Sequence, residues 1–163
     1  MIFGDTASGK SSFAETLAGI ENVPVVHLDR IMDGIGREDR RRIGEYIKKE
    51  AAKPNWIIEG NAFTKDPDYR IQRADTIYVF DFNRFVTLAN HIGRYIKLRI
   101  HKEIRKGSDS SDLNLKYFIP YILLKFPPRK REALRLAKSQ GKEIVIFKSY
   151  KDIDTFFSKK TSR

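Results

Sequence analysis

The chain predicts an α/β fold, a parallel sheet with helices on both faces. Three observations carry this. Short runs rich in Ile, Val, Phe and Tyr recur along it and are apolar throughout instead of alternating, the pattern of strands buried on both faces. Segments with helical periodicity separate those runs. The first run leads directly into Gly4-Asp5-Thr6-Ala7-Ser8-Gly9-Lys10-Ser11, which fits G-x-x-x-x-G-K-[ST], the loop whose backbone amides cradle phosphate.

The first strand is "MIF". Strands run to about five or six residues, so either this strand is stunted or the natural start lies a few residues upstream. After the loop, Phe13, Leu17 and Ile20 recur at helical spacing with Ala14 and Ala18 beside them, and a helix is expected from about Lys10 to Glu21. "VPVVHL" (23–28) reads as a strand, with Pro24 tolerated near its start. The charged stretch 37–53 carries Ile43, Tyr46 and Ile47 on one side, an amphipathic helix ended by Pro54. "WIIEG" (56–60), "DTIYVFDF" (75–82) and "KEIVIF" (142–147) are further strands. Long helical patterns lie between the last two, at about 84–105 and 128–140, interrupted by "RKGSDSSD" (105–112), a mobile loop by composition. A short helix over 151–158 closes the chain. In parallel sheets ligands sit beyond the carboxyl ends of the strands. That rule lines Gly4 to Ser11, Asp29, Glu59, Gly60 and Asp81 along one edge.

The 163 residues make one domain, 1–163, with enough chain to bury a core. Hydrophobic residues are 40% and charged residues 33%, which excludes a disordered chain. There is no cysteine, so disulfides, thiolate zinc sites and thiol catalysis are excluded; this suits a reducing cytoplasm, the expected location. His27, His91 and His101 lie far apart without metal-ligand spacing. "YFIPYILLKF" (117–126) contains Pro120 and is half the ~20 residues a membrane span needs. It is expected to pack on the core or on a partner subunit, as in a homodimer. The net charge of +11 suits an anionic partner, whether nucleotide, nucleic acid or acidic lipid.

The loop's parts have separate jobs. Gly4, Asp5, Thr6, Ala7, Ser8, Gly9, Lys10, Ser11 and Ser12 form the nucleotide-binding set, the two glycines letting the backbone turn tightly against phosphate oxygens. Lys10 supplies a point charge to the β- and γ-phosphates, and the Ser11 hydroxyl ligates Mg²⁺. Asp81 either helps hold the Mg²⁺ shell or caps the helix beginning near Arg84. Glu59 serves either the metal or an attacking hydroxyl. Asp29 either accepts a hydrogen bond from a substrate hydroxyl or caps the next helix. Arg84, Arg94, Arg99, Arg129 and Arg131 flank the polar loop, as in a basic lid closing over ATP and neutralising the transferring group.

The order GDTASGKS, "VVHLD", "WIIEGN", "TIYVFDFNR", a basic lid and "EIVIFKSYKDIDTFF" resembles the adenylate-kinase-like P-loop family known as DNA topology modulation proteins. The likeness covers nearly the whole chain. It implies a three-layer nucleotide-kinase-like fold with a five-stranded parallel sheet, an acceptor-binding segment at about 29–55 and a short basic lid at about 95–125. It also implies that Lys10 and Ser11 bind phosphate and Mg²⁺, that Asp29 faces the acceptor with Glu59 and Gly60 lining its pocket, and that Arg94 is a lid arginine. Two departures stand out. Asn90 occupies the place of an earlier lid arginine, and Gly60-Asn61-Ala62-Phe63 lacks the arginine of the adenylate-kinase turn, which disfavours AMP as acceptor.

The expected function is an ATP- and Mg²⁺-dependent phosphotransferase acting on a small acceptor, with Lys10, Arg94 and Arg129 as catalytic groups and Asp29, Glu59, Gly60 and Arg84 toward the substrate. Arg30, Arg40, Arg41 and Arg42 suggest an anionic acceptor. The alternatives are a nucleotide-regulated DNA-binding protein, favoured by charge but lacking any recognisable DNA-reading module, and an NTPase whose acceptor is water.

Overall fold

A computed structural model describes residues 1–34, 42–61, 69–100 and 119–161. Arg40, Arg41, Ala62, Phe63 and the polar loop at 105–112 lie outside the described residues, as does much of the expected lid.

Five strands form one sheet: β1 (Ile2–Gly4), β2 (Val25–His27), β3 (Ile57–Glu59), β4 (Thr76–Phe80) and β5 (Glu143–Phe147). Their order is β2-β3-β1-β4-β5, and every pair is parallel. Around them lie α1 (Lys10–Glu21), α2 (Leu28–Gly34), α3 (Ile43–Ala51), α4 (Tyr69–Arg73), α5 (Arg84–Ile100), α6 (Phe126–Ser139) and α7 (Tyr150–Thr161). β1 is central because the chain leaves it for β2 and later crosses back past it from β3 to β4. No helix among the described residues is long and apolar enough to cross a membrane.

Strand alternation explains the layers. Phe3, Ile77 and Val79 face one side, where Ile71, Ala74, Ala133 and Ala137 of α4, α6 and the turn after α4 cover them. Ile2, Phe80 and Phe147 face the other, against Phe13, Ala14 and Leu17 of α1 and partly buried Ile153, Phe156 and Phe157 of α7. Phe13 is the hub there, with ring centroids 4.9 Å from Phe157, 5.1 Å from Phe147 and 5.3 Å from Phe80. Burying such a side chain is worth roughly 1.5–3 kcal/mol. Leu28, Ile58, Ile47 and Ala51 fasten α3 to the β2–β3 edge.

The expected elements shift in detail. β1 is indeed only three residues, but so are β2 and β3. Leu28 opens a helix instead of ending a strand. In α3 the helix stops at Ala51, before Pro54. In α6 it begins two residues early at Phe126, because Pro127 and Pro128 occupy its first turn, where no amide partner is needed. A π-helical turn, Tyr121–Lys125, runs into it. The apolar stretch divides accordingly: Ile122 and Phe126 are buried, whereas Leu124 is exposed.

Candidate active site

The phosphate loop is held by backbone geometry that only glycine permits. Gly4 has φ +141°, and a Cβ there would fall 2.3 Å from the Phe80 carbonyl oxygen. β1 and β4 can close to this distance, and the Asp5 amide donates to the same oxygen at 2.8 Å. Gly9 (φ +87°) caps α1 in the left-handed region with no side-chain hydrogen bond to the helix's first amides, leaving those amides to the loop. Inside the loop the Asp5 carbonyl accepts from the Ser8 hydroxyl at 2.6 Å and from Lys10 Nζ at 2.7 Å. Asn61 clamps the strand end: its Oδ1 accepts from the Gly4 amide at 3.1 Å, and its Nδ2 donates to the Gly4 carbonyl at 2.8 Å. Tyr150, first residue of α7, lies against the outer side, its hydroxyl donating to the Ala7 carbonyl at 3.4 Å and accepting from Asn90 at 3.0 Å.

Lys10 is buried, and loss of hydration lowers its pKa; the charges of Glu59, Asp29 and Asp5 oppose that shift, while Arg94 adds to it. Gly60 (φ +136°) brings the β3 turn against α2, since a Cβ there would meet Leu28 at 2.9 Å and the Asp29 carboxylate at 3.2 Å.

The carboxylates divide between the two flanks of the loop. Glu59, only 2% exposed, accepts on Oε2 from the Ser11 hydroxyl at 3.1 Å and lies 3.0 Å from His27 Nδ1. Asp81, on the turn after β4, is bound at 2.6 Å by Lys130 Nζ, which also reaches Asp5 Oδ2 at 2.9 Å. The capping alternative for Asp81 is filled by Asn83, whose Oδ1 accepts from the Phe85 amide at 2.9 Å. Asp29 lies in the first turn of α2.

Arg84, Arg94 and Arg129 are all exposed. Among the described residues no hydrogen bond or ion pair joins Arg84 or Arg129 to the loop; the neighbour of Arg129 on α6, Lys130, is the residue that reaches it. Sequence reasoning missed Lys130 because one step around a helix separates a solvated cation from a buried one. It also missed Arg70, which is fully buried and donates to the Gly60 carbonyl at 3.0 Å. His27 carried a readable signal: it stands two residues before Asp29, at the end of a strand.

Mg²⁺ is a fit by donor chemistry. With its proton donated to Glu59, the Ser11 oxygen keeps lone pairs for a hard cation. Among the described residues no group of three or more His, Cys, Asp or Glu could hold a metal.

No family model and no curated protein matches the chain. Solved structures do. Shikimate kinase from Bacteroides thetaiotaomicron is similar over 95% of this chain and 94% of its own, with TM-score 0.56 and 18% identity. An uncharacterized protein from Eubacterium ventriosum matches 99% of this chain and 97% of its own (TM-score 0.47, 12% identity), and a gluconokinase from Sinorhizobium meliloti matches 85% and 88% (TM-score 0.42, 16% identity). The likeness to the shikimate kinase shows the fold, a parallel five-stranded sheet flanked by helices, as the sequence predicts.

Proposed function

We propose that the chain transfers the γ-phosphoryl group of ATP to a hydroxyl of a small acceptor. The observation that carries this is the geometry of the loop: a buried Lys10 ammonium bonded inside a glycine-framed turn, with the carboxylate of Glu59, at the adjoining strand end, bonded to the next residue, Ser11. A buried cation with loop amides around it suits a polyphosphate, and carboxylates at the adjoining strand ends suit the acceptor. The acceptor oxygen attacks the γ-phosphorus, the bond from that phosphorus to the bridging oxygen of ADP breaks, and Glu59 takes the hydroxyl proton. Asp29 and Gly60 orient the acceptor, and Lys10 and Arg94 balance charge on the transferring group. Ser11 and Asp81 would hold Mg²⁺, which supplies charge neutralisation along the phosphates.

The test is transfer from γ-labelled ATP with Mg²⁺ over a panel of nucleosides, nucleotides, sugars and small hydroxy acids, with Lys10→Ala as control. Label appearing on one acceptor and lost in the control establishes the reading. Tight ATP binding without transfer to any panel member overturns it, in favour of a nucleotide-regulated binding protein or an NTPase.

A further inference from the structure

Glu59 does not stand alone. His27 and Glu59 are register partners on β2 and β3, and the imidazole reaches across with Nδ1 3.0 Å from Glu59 Oε2. Its other nitrogen, Nε2, lies 2.7 Å from Glu15 Oε1 on α1. Arg30 of α2 approaches the same Glu15 oxygen at 3.6 Å. A brace therefore runs from the Ser11 hydroxyl through Glu59, His27 and Glu15 to Arg30, from nearly full burial at Glu59 to a half-exposed Glu15.

Two features make this more than packing. A carboxylate buried as deeply as Glu59 needs hydrogen bonds to stay in place, and its two partners, Ser11 and His27, both use Oε2, so neither contact draws on Oε1. The imidazole is also gripped at both nitrogens, so Glu15 holds from the Nε2 side the same ring whose Nδ1 faces Glu59. The orienting partner is fixed from behind, from outside the loop.

We infer that His27 and Glu15 are positioning residues for Glu59, setting the orientation of the carboxylate on the acceptor side of the reaction and leaving nucleotide binding to the loop. The inference deepens the kinase reading and rests on Glu59 taking the acceptor's proton.

The experiment compares wild type with His27→Phe, His27→Asn, Glu15→Ala and the double variant His27→Phe/Glu15→Ala. The probe reaction is Mg·ATP hydrolysis, with water as acceptor and Lys10→Ala as background. The expected result for His27→Phe is a kcat fall of about tenfold or more with KM for ATP within about twofold, since the loss lies in the reacting geometry. Asparagine places an amide N–H near the Nδ1 position, so His27→Asn should recover most of that loss. Glu15→Ala should lower kcat by less, and have no effect once His27 is Phe.

Equal kcat for the Asn and Phe variants overturns the inference, as does a KM for ATP that rises as far as kcat falls. Glu15→Ala acting undiminished in the His27→Phe background does the same. Thermal melting of each variant identifies loss of fold. If wild type shows no turnover above Lys10→Ala, water is not an acceptor, and the kinase reading is decided separately by the labelled-acceptor panel. Nitrogen NMR of the His27 ring then reads the brace by itself: its signals should change in both Glu15→Ala and Glu59→Gln, and indifference to either variant overturns the brace.

Discussion

The two flanks of the phosphate loop are built differently. On the β3 side, Glu59 is held by the hydroxyl of Ser11 and the imidazole of His27, groups carried by α1 and the neighbouring strand. On the β4 side, Asp5 and Asp81 are held by a lysine 125 residues along the chain from Asp5. The first flank rests on hydrogen bonds within the sheet and the helix that follows the loop. The second depends on where α6 docks, after the segment expected to form the lid. The difference teaches that the β3 side is held by contacts local to the β-sheet and α1, whereas the β4 side ties the loop's conformation to a distant helix.

The largest effect should come at the centre shared by both flanks. Lys10→Ala is expected to lower phosphoryl transfer by about 10²–10³-fold or more, measured as transfer from labelled ATP. Because Lys10 is buried at a cost in hydration, Lys10→Met should also raise the unfolding midpoint of the ligand-free protein while abolishing its further rise with Mg·ATP. A midpoint that still climbs with nucleotide would place the phosphates elsewhere.

Gly4→Ala comes next. The new methyl meets the Phe80 carbonyl at 2.3 Å and the Phe80 amide nitrogen at 2.5 Å, both backbone atoms of the central strand pair, and the φ of +141° is strained for alanine. We expect a loss of roughly 3 kcal/mol or more in chemical denaturation. A loss under 1 kcal/mol would mean that β1 and β4 can part, and that the loop is less rigid than its contacts imply.

Lys130→Met sharpens the comparison between flanks. It strands the buried Asp5 carboxylate, and a loss of about 3 kcal/mol at neutral pH is expected. Burial already raises the Asp5 pKa above its ordinary 3.8, with Lys130 opposing that rise. An acid with a raised folded pKa favours the fold in its neutral form, a contribution fully present below the ordinary 3.8 and lost as pH rises from there through the raised value. Without Lys130 the pKa rises further, so the cost of the substitution should shrink as pH falls and Asp5 takes a proton. Denaturant titrations at several pH values read this; a cost independent of pH would locate the effect in lost packing over Phe126, whose ring lies 5.6 Å from the ammonium.

Asn61→Ala should have the smallest effect, about 1–2 kcal/mol for two hydrogen bonds to Gly4. The associated rise in KM for ATP should exceed any change in kcat, because Asn61 holds the strand end and not the acceptor. The reverse split would move Asn61 to the acceptor side.

Much of this was legible in the chain. Apolar runs located all five strands, and the helix after the loop was placed at Lys10 to Glu21, as found. The glycine pattern located the loop, and strand ends located Asp29, Glu59 and Asp81. The short helices at 28–34 and 69–73 were not legible, because seven and five residues are too few for a periodicity to register. Arg129 and Lys130 could not be told apart for the same kind of reason. On a helix with an apolar stripe of small residues such as Ala133 and Ala137, both flank the stripe, and only the docking angle decides which of them the core admits.

The sequence by itself determined the phosphate loop, the parallel sheet and the edge along which the acids gather. Each follows from local rules: glycine's conformational freedom, the periodicity of buried strands, and the strand ends at which loops must begin. Only the tertiary structure decided the partners of those acids. Whether Glu59 meets Ser11 and His27, and Asp81 meets Lys130, depends on strand order and helix docking. These set distances between residues far apart in the chain, which no local pattern records.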